Sequence, residues 1–251
     1  VNASRIGLFG KGRLGAAIAA RAGDRIAWQV AREPAPGARV DVAIEASSGS
    51  AVPARLQWAL DTGTPLVIGS TGWTMPDLAD RVGERIGVVT APNFSLGVAM
   101  MRRLSLVLAR FCALDPSRDP YVVEHHQGRK HDAPSGTAKL LAETILRGCP
   151  SKRSWAIGGP LQPDQLSVGV VRAGSTYSEH RVGIDAPAEV LELVHTARSA
   201  VAFADGALAA AAWVAGRKGV FTMDVVAASV LDPLFAGLSS LDSREIHDDR
   251  T

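Results

Sequence analysis

Residues 5–15, RIGLFGKGRLG, carry a short apolar run straight into Gly10-x-Gly12-x-x-Gly15 and then into the helical AAIAARAG. No other stretch limits the fold as strongly. A strand that ends in a glycine turn and passes into a helix commits the backbone to a βα unit, and such units build a parallel sheet through right-handed crossovers. The same turn is what a dinucleotide site needs: a tight bend, close backbone approach to a pyrophosphate, then close helix packing. The pattern alone leaves open a glycine-rich turn with no ligand, as any α/β protein can contain. The next strand, Ile26 to Val30, ends at Ala31-Arg32. An acidic side chain near that strand end would hydrogen-bond ribose hydroxyls, whereas Arg32 is suited to a 2′-phosphate; Glu33 is the neighbouring acid.

The rhythm continues. Asp41 to Glu45 reads as a buried strand followed by the turn ASSGSAV. A helix over 52–62, the strand PLVIG, the turn Ser70-Thr-Gly-Trp73, a helix near 75–85 and the strand IGVVTA follow in order. Val98, Met101, Leu104, Leu108 and Phe111 then recur at helical spacing between 96 and 114, with Met100 and Met101 read as core. A Gly/Pro-rich loop is expected over 149–163, strands over 166–172 and 189–195, a third strand around His180, and a helix over 197–216. The charged tail LDSREIHDDRT is read as solvated.

The chemistry concentrates in residues 121–143, YVVEHHQGRKHDAPSGTAKLLAE. Tyr121 to His126 alternates as a strand does, which sends His125 to one face and His126 to the face of Glu124. Gln127 to Pro134 is a polar loop, and Ser135-Gly-Thr opens a helix whose Ala138, Leu141, Ala142 and Ile145 share a face. The free N–H groups and positive dipole end of such a helix suit a carboxylate. Lys130 would add a mobile ammonium, and His126 a proton donor near neutral pH. The plainer alternative is a solvated basic loop with incidental histidines.

Composition narrows the classes. With 251 residues, 47% hydrophobic and 21% charged, the chain can bury a real core. A formal charge of +2 argues against a broad nucleic-acid surface. The two cysteines, Cys112 and Cys149, lack metal spacing and are expected to be reduced, as in a cytosolic protein. No apolar run approaches a membrane span, and no leader peptide is expected.

Glu124, His126, Lys130 and the run Asp132 to Ala138 resemble the signature of the dihydrodipicolinate reductase (4-hydroxy-tetrahydrodipicolinate reductase) family, commonly E-x-H-H-x-x-K-x-D-A-P-S-G-T-A. Gly12-Arg13-Leu14-Gly15, Gly69-Ser70-Thr71-Gly72 and Ala91-Pro92-Asn93-Phe94 are similar to further family segments, so the resemblance spans nearly the whole chain. It implies a Rossmann-like doubly wound α/β domain from residues 1–96 and 202–251, and an α+β substrate and oligomerisation domain with an open sheet over 97–201. It implies reduction, in lysine and diaminopimelate biosynthesis, of 4-hydroxy-tetrahydrodipicolinate, which loses water to a conjugated imine that accepts hydride. His126 and Lys130 take the family's proton-donor roles; Gln127, Gly136 and Thr137 take its substrate contacts. Gly10, Lys11, Gly12, Arg13, Leu14, Gly15, Arg32, Gly69, Ser70, Thr71 and Ala91 to Phe94 take its cofactor contacts. NADPH is the preferred cofactor, with NADH usable, and no metal is required. The partners implied are a small dicarboxylate cyclic imine and identical subunits in a cytoplasmic homotetramer, with no nucleic acid or membrane. Two departures stand out: Gln127 replaces a family histidine, with His125 an extra one before the catalytic position, and Ala200 replaces a family arginine, with Arg198 two residues earlier. They admit a reductase of a related cyclic imine, or a non-catalytic NADP-binding homologue.

Overall fold

A computed structural model describes residues 4–237. Its first sheet has six strands, every neighbouring pair parallel, in the order β11 (Gly219–Thr222), β5 (Gly87–Thr90), β4 (Leu66–Ile68), β3 (Val42–Glu45), β1 (Ile6–Phe9), β2 (Ile26–Val30). β1 and β3 are buried along their whole length, as strands covered on both faces must be. Ile6, Leu8, Val42 and Ile44 pack with α1 (Arg13–Ala22) and α6 (Val201–Val214) on one side. Phe9, Ala43, Leu66 and Ile68 pack with α2 (Val52–Thr62) and α3 (Leu78–Val82) on the other. The chain runs from β1 out to β2 and back across to β3, so the connections diverge above β1 and β3. That divergence opens a crevice at the strands' C-terminal ends, where such sheets take ligands.

The second sheet is mixed, in the order β10 (Glu189–Ala197), β9 (Ser178–Ala186), β6 (Asp119–His126), β8 (Gln165–Arg172), β7 (Ser154–Ile157). β6 pairs parallel with β8 and antiparallel with β9. α4 (Leu96–Cys112) and α5 (Gly136–Gly148) cover one face through a core that includes Met101, Leu108, Leu141, Ile145, Leu166 and Val182. After β10 the chain returns to the first sheet: α6 lies along α1, Arg21 pairs with Asp205 at 2.6 Å, and β11 adds beside β5.

Several local expectations need correction. α1 starts at Arg13, inside the glycine turn rather than after it. The helix expected over 75–85 shrinks to Leu78–Val82, because a turn containing Pro76 precedes it and Gly83, at φ +51°, ends it. The loop expected over 149–163 contains the short edge strand β7. β10 runs two residues beyond His195, so α6 starts at Val201 rather than Ala197 and ends at Val214. α4 also buries Ser105, Ala109 and Cys112; Leu104 is only half-buried, and Phe111, half-buried too, packs against the core with Arg118 stacked 3.8 Å over its ring. The tail LDSREIHDDRT lies outside the described residues.

Phe94 locks the segment after β5 onto the first sheet and α6. Its ring lies where a Cβ on Gly69 would fall, 2.3 Å away, and its carbonyl oxygen lies 1.7 Å from where a Cβ on Gly206 would fall. Gly206 therefore lets α6 close onto the segment between β5 and α4. Alanine would gain about 1 kcal/mol of helix propensity but must push a helix off a fixed carbonyl, at a cost of about 1–3 kcal/mol. Gly206→Ala is expected to lower the urea midpoint, while Gly37→Ala, with no atom within 4 Å, leaves it nearly unchanged. Equilibrium unfolding of both variants checks this.

Candidate active site

The glycine turn is built by exclusion. Gly10 has φ +118°, and a Cβ there would meet the Ala46 carbonyl oxygen at 2.4 Å; a Cβ on Gly15 would meet the Gly10 carbonyl oxygen at 2.2 Å. The Gly10 N–H donates to the Val30 carbonyl at 2.7 Å, and the Gln29 amide donates to the Gly10 carbonyl at 2.8 Å, which pins the turn between β1 and β2. Gly12 differs: it faces open space and caps α1 with no side-chain acceptor, which leaves the first helical N–H groups available to an anion. A cleft of about 570 Å³ opens there, lined by Gly10, Lys11, Gly12, Ala31, Arg32, Ser47, Ser48 and Arg55 among others. A pyrophosphate and adenosine ribose fit this donor set. A second cleft, about 200 Å³, is lined by Leu14, Gly69, Ala91, Pro92, Asn93, Phe94, Tyr177 and Phe203.

The expected cofactor residues thus fall into two clusters, and four line neither cleft. Gly15 is buried under the turn, Arg13 and Thr71 are exposed, and the Ser70 hydroxyl donates to Glu45 Oε1 at 2.8 Å. Glu45 is a residue the sequence reading passed over. Fully buried at the end of β3, its Oε1 accepts from the Ser47 N–H (2.7 Å), the Ser47 hydroxyl (2.6 Å) and Ser70, and so ties two ligand-facing loops together. An acid ending a wholly buried strand before Ser-Ser was the available signal. Arg55 was also missed: it lies 4.3 Å over the Phe9 ring and donates to the carbonyls of Ala31 and Glu33. Glu33 folds back to accept the Ala31 N–H at 2.6 Å, and hydrogen bonds from its own loop hold its carboxyl below the usual range.

β6 places Glu124 and His126 on one buried face, 0% and 6% exposed, and turns His125 away to the Ala173 carbonyl at 3.0 Å. Glu124 Oε1 accepts from the Ser135 N–H at 2.9 Å and from Arg172 at 2.6 Å. Its Oε2 lies 3.4 Å from His126 Nδ1 and 3.5 Å from His180 Nε2. Arg172 also donates to the Asp132 carbonyl at 2.6 Å, so one guanidinium clamps the 127–134 loop to the strand. Within that loop Lys130 is held rather than mobile, its Nζ 2.7 Å from Asp132 Oδ1. The Gln127 N–H donates to the Thr176 carbonyl. Ser135 caps α5, accepting the Ala138 N–H at 3.2 Å, and Gly136 faces open space beside it. The Thr137 hydroxyl accepts from Asn93 at 3.0 Å, which joins the start of α5 to the second cleft. Ala200 is the N-cap of α6, and Arg198 is exposed.

Burial of Glu124 alone would raise its carboxyl pKa, but His180, Ser135 and Arg172 outweigh it and hold the group well below the carboxylate range. His126 moves the other way from expectation. Burial first, then His180, Lys130 and Arg172, lower it to about 4 against the opposing pull of Glu124. In the free protein the imidazole is therefore neutral at pH 7. The ligating atoms of Glu124, His126 and His180 lie within 4.8 Å of one another. With Arg172 on Glu124 and Lys130 close by, a further cation meets an already positive field, and the cluster suits proton handling better than metal binding.

Sequence profiles described as "Dihydrodipicolinate reductase, N-terminus" and "Dihydrodipicolinate reductase, C-terminus" match residues 28–94 and 97–226. A 4-hydroxy-tetrahydrodipicolinate reductase from Alkalilimnicola ehrlichii is 36% identical over 84% of this chain and 78% of its own length. One from Ralstonia pickettii is 34% identical over 75% of this chain and 74% of its own. Among solved structures, a dipicolinate-bound dihydrodipicolinate reductase from Paenisporosarcina sp. TG-14 superposes with a TM-score of 0.69 at 19% identity, over 87% of this chain and 97% of that one. It shares the fold. Among the described residues, no helix is long and apolar enough to cross a membrane.

The His126 shift fixes the sign of an acid effect. The unfolded ring takes up a proton as pH falls through 6.5, and the folded ring does so only near 4. Stability is therefore lost progressively between pH 6.5 and 4, by up to about 3 kcal/mol. His195, also lowered by burial, adds to the loss with the same sign, and the contribution of Glu124 fades only below its ordinary range. Urea midpoints at pH 7, 5.5 and 4.5 should fall steeply in the parent protein and less steeply in His126→Asn.

Proposed function

Because the chain belongs to the dihydrodipicolinate reductase family, we propose that it reduces 4-hydroxy-tetrahydrodipicolinate to tetrahydrodipicolinate with NADPH, in lysine and diaminopimelate biosynthesis. One observation carries the reading: an acid–base cluster and a free helix start on the second sheet are joined through Asn93–Thr137 to the second cleft, which Leu14 of α1 and Gly69 after β4 also line. Residues 1–96 and 202–251 form the dinucleotide part in this reading, and 97–201 the substrate and subunit-contact part.

The nicotinamide, when bound, supplies the hydride. The chain does the rest. The N–H groups of Gly136 and Thr137 bind a substrate carboxylate at the start of α5. Lys130 leaves Asp132 for the incoming dianion and neutralises part of its charge. His126 supplies the proton that the reduced substrate takes up. Exposed Val190, Leu191 and Val194 on β10 support a contact with identical subunits, and the cytoplasmic homotetramer of the family completes the reading. Gln127 and Ala200, where the family carries charge, favour one second reading, a related cyclic imine as substrate.

Loss of NADPH absorbance with enzymatically generated lysine-pathway substrate tests the reaction. His126→Gln and Lys130→Ala are each expected to cut kcat by roughly a hundredfold or more while NADPH still binds. His125→Ala, whose ring points away, should be mild. Equal loss of cofactor binding in a folded variant would remove these roles.

Cofactor choice rests on Arg32. It lines the first cleft, while Glu33 is engaged with the Ala31 N–H and Arg55 with two carbonyls. A guanidinium–phosphate contact contributes about 1.5–3 kcal/mol, or about ten- to a hundredfold in NADPH affinity. Arg32→Ala should erase most of the preference and leave NADH binding nearly unchanged. Dissociation constants for both cofactors at one ionic strength decide it, and a parent protein that binds NADH equally well sinks the idea.

A further inference from the structure

We propose that Glu124 is a positioning residue for His126: its Oε2 takes the Nδ1 proton of the ring, reserves Nε2 for the substrate, and balances the charge of the imidazolium that forms there. The inference rests on the reductase reading only for the substrate that Nε2 meets.

The observation behind it is a facing pair of polar atoms, both sealed from solvent. Glu124 Oε2 and His126 Nδ1 are buried, neither has a hydrogen-bond partner, and they stand 3.4 Å apart. Buried polar atoms without partners are rare, and two of opposite character facing each other call for a shared proton. The carboxylate cannot turn away, because its other oxygen is held by the Ser135 N–H and Arg172. A small rotation of the ring closes the bond. His180 is the competing donor at 3.5 Å, but its Nε2 already meets the Ser135 hydroxyl at 3.2 Å and its Nδ1 the Ser178 hydroxyl at 3.4 Å. His126 has no such alternative.

The surrounding charges give the pair its purpose. The groups that bear on His126 are His180 from β9, Arg172 from β8, Lys130 from the loop and Glu124 from its own strand. The first three resist a second positive charge, and Asp132 is already paired with Lys130. Glu124 is the anion that sustains an imidazolium here, and in the free protein it is outweighed. A dianionic substrate adds the missing negative charge, so the ring gains its proton as substrate binds. Nε2 then gives that proton to the reduced substrate, the Nδ1 proton stays on Glu124's side, and the ring returns to its neutral form.

Ring ¹⁵N spectra of the folded parent protein test this, with His126 assigned by its loss in His126→Gln. At pH 7 the ring is expected as the Nδ1–H tautomer, becoming imidazolium when pyridine-2,6-dicarboxylate and NADP⁺ are added. Glu124→Gln keeps an oxygen for Ser135 and Arg172 and offers Nδ1 an amide donor. Its ring should switch to the Nε2–H tautomer and stay neutral with the dicarboxylate bound. With the lysine-pathway substrate its kcat should fall about tenfold or more, and the alkaline limb of kcat should move to lower pH by about one unit, while KM changes less than about threefold. A parent ring protonated on Nε2 alone, or a Glu124→Gln protein with the parent tautomer and pH profile, overturns the proposal. The parent tautomer decides the pair even if the variant does not fold. A parent protein that binds NADPH but leaves the substrate unreduced removes the reductase reading, and the tautomer still reports on Glu124.

Discussion

A carboxylate at 0% exposure must be answered by polar neighbours, and those that face Glu124 come from four separate parts of the second sheet and its helices. Ser135 brings the start of α5, Arg172 the end of β8, His180 a position near the start of β9, and His126 the end of β6 itself. Removing one donor would leave charge uncompensated in a dry interior, which is far more costly than the net worth of any single contact. The loop, the helix start and the two histidines therefore hold their relative positions together. The arrangement also explains why a polar loop of eight residues can present Lys130 and Asp132 reproducibly: Arg172 fastens the loop backbone at Asp132 while its other contact fastens the carboxylate.

The first sheet solves a different problem. It must bring backbone, not side chains, close to a ligand, and it does so with glycines whose missing Cβ atoms are occupied by neighbouring carbonyls. Its one buried carboxylate, Glu45, is used in the same spirit as Glu124, as an acceptor that joins loops distant in sequence. The link between the sheets is short. Phe94 is fixed to the first sheet's side between Gly69 and Gly206, and one residue earlier Asn93 reaches across to Thr137. A shift of the second sheet relative to the first would be felt at the second cleft, which Asn93 and Phe94 line.

What could be read from the sequence was local. Glu124 and His126 two apart on a strand, a loop of breakers, and a Ser-Gly-Thr helix start are all fixed within fifteen residues, and the alternation that separates His125 from His126 is geometry the chain cannot avoid. The glycine turn was legible for the same reason. The missing pieces depend on register across long separations. Arg172 stands opposite His126, and His180 opposite Glu124, only because β6 pairs with β8 and β9 as it does. β7 escaped notice because four residues on a sheet edge, none of them buried, carry almost no alternation, and the helix after β4 was overestimated because periodicity does not count the turn residues that shorten it. His126 itself was placed correctly on its strand face, yet its neutral state was not foreseeable. That state is the sum of burial and the influence of His180, Lys130 and Arg172, two of them on other strands.

The same lesson applies to the end of β2, where the sequence sets an arginine and a glutamate side by side with nothing to rank them. Spacing alone would let either one face a ribose. In the structure the two differ in their hydrogen bonds. Glu33 has turned its carboxylate back on the Ala31 N–H, and Arg55, reaching in from α2, holds the Ala31 and Glu33 carbonyls while lying flat on Phe9. For Glu33 to accept a ribose hydroxyl it must give up a charge-assisted bond and disturb a loop fastened at two carbonyls. Arg32 lines the cleft with Lys11 and gives up no such bond in doing so. The strand end thus presents two cations to the cleft and an acid turned back on its own backbone, and that asymmetry is what the proposed 2′-phosphate contact of Arg32 draws on.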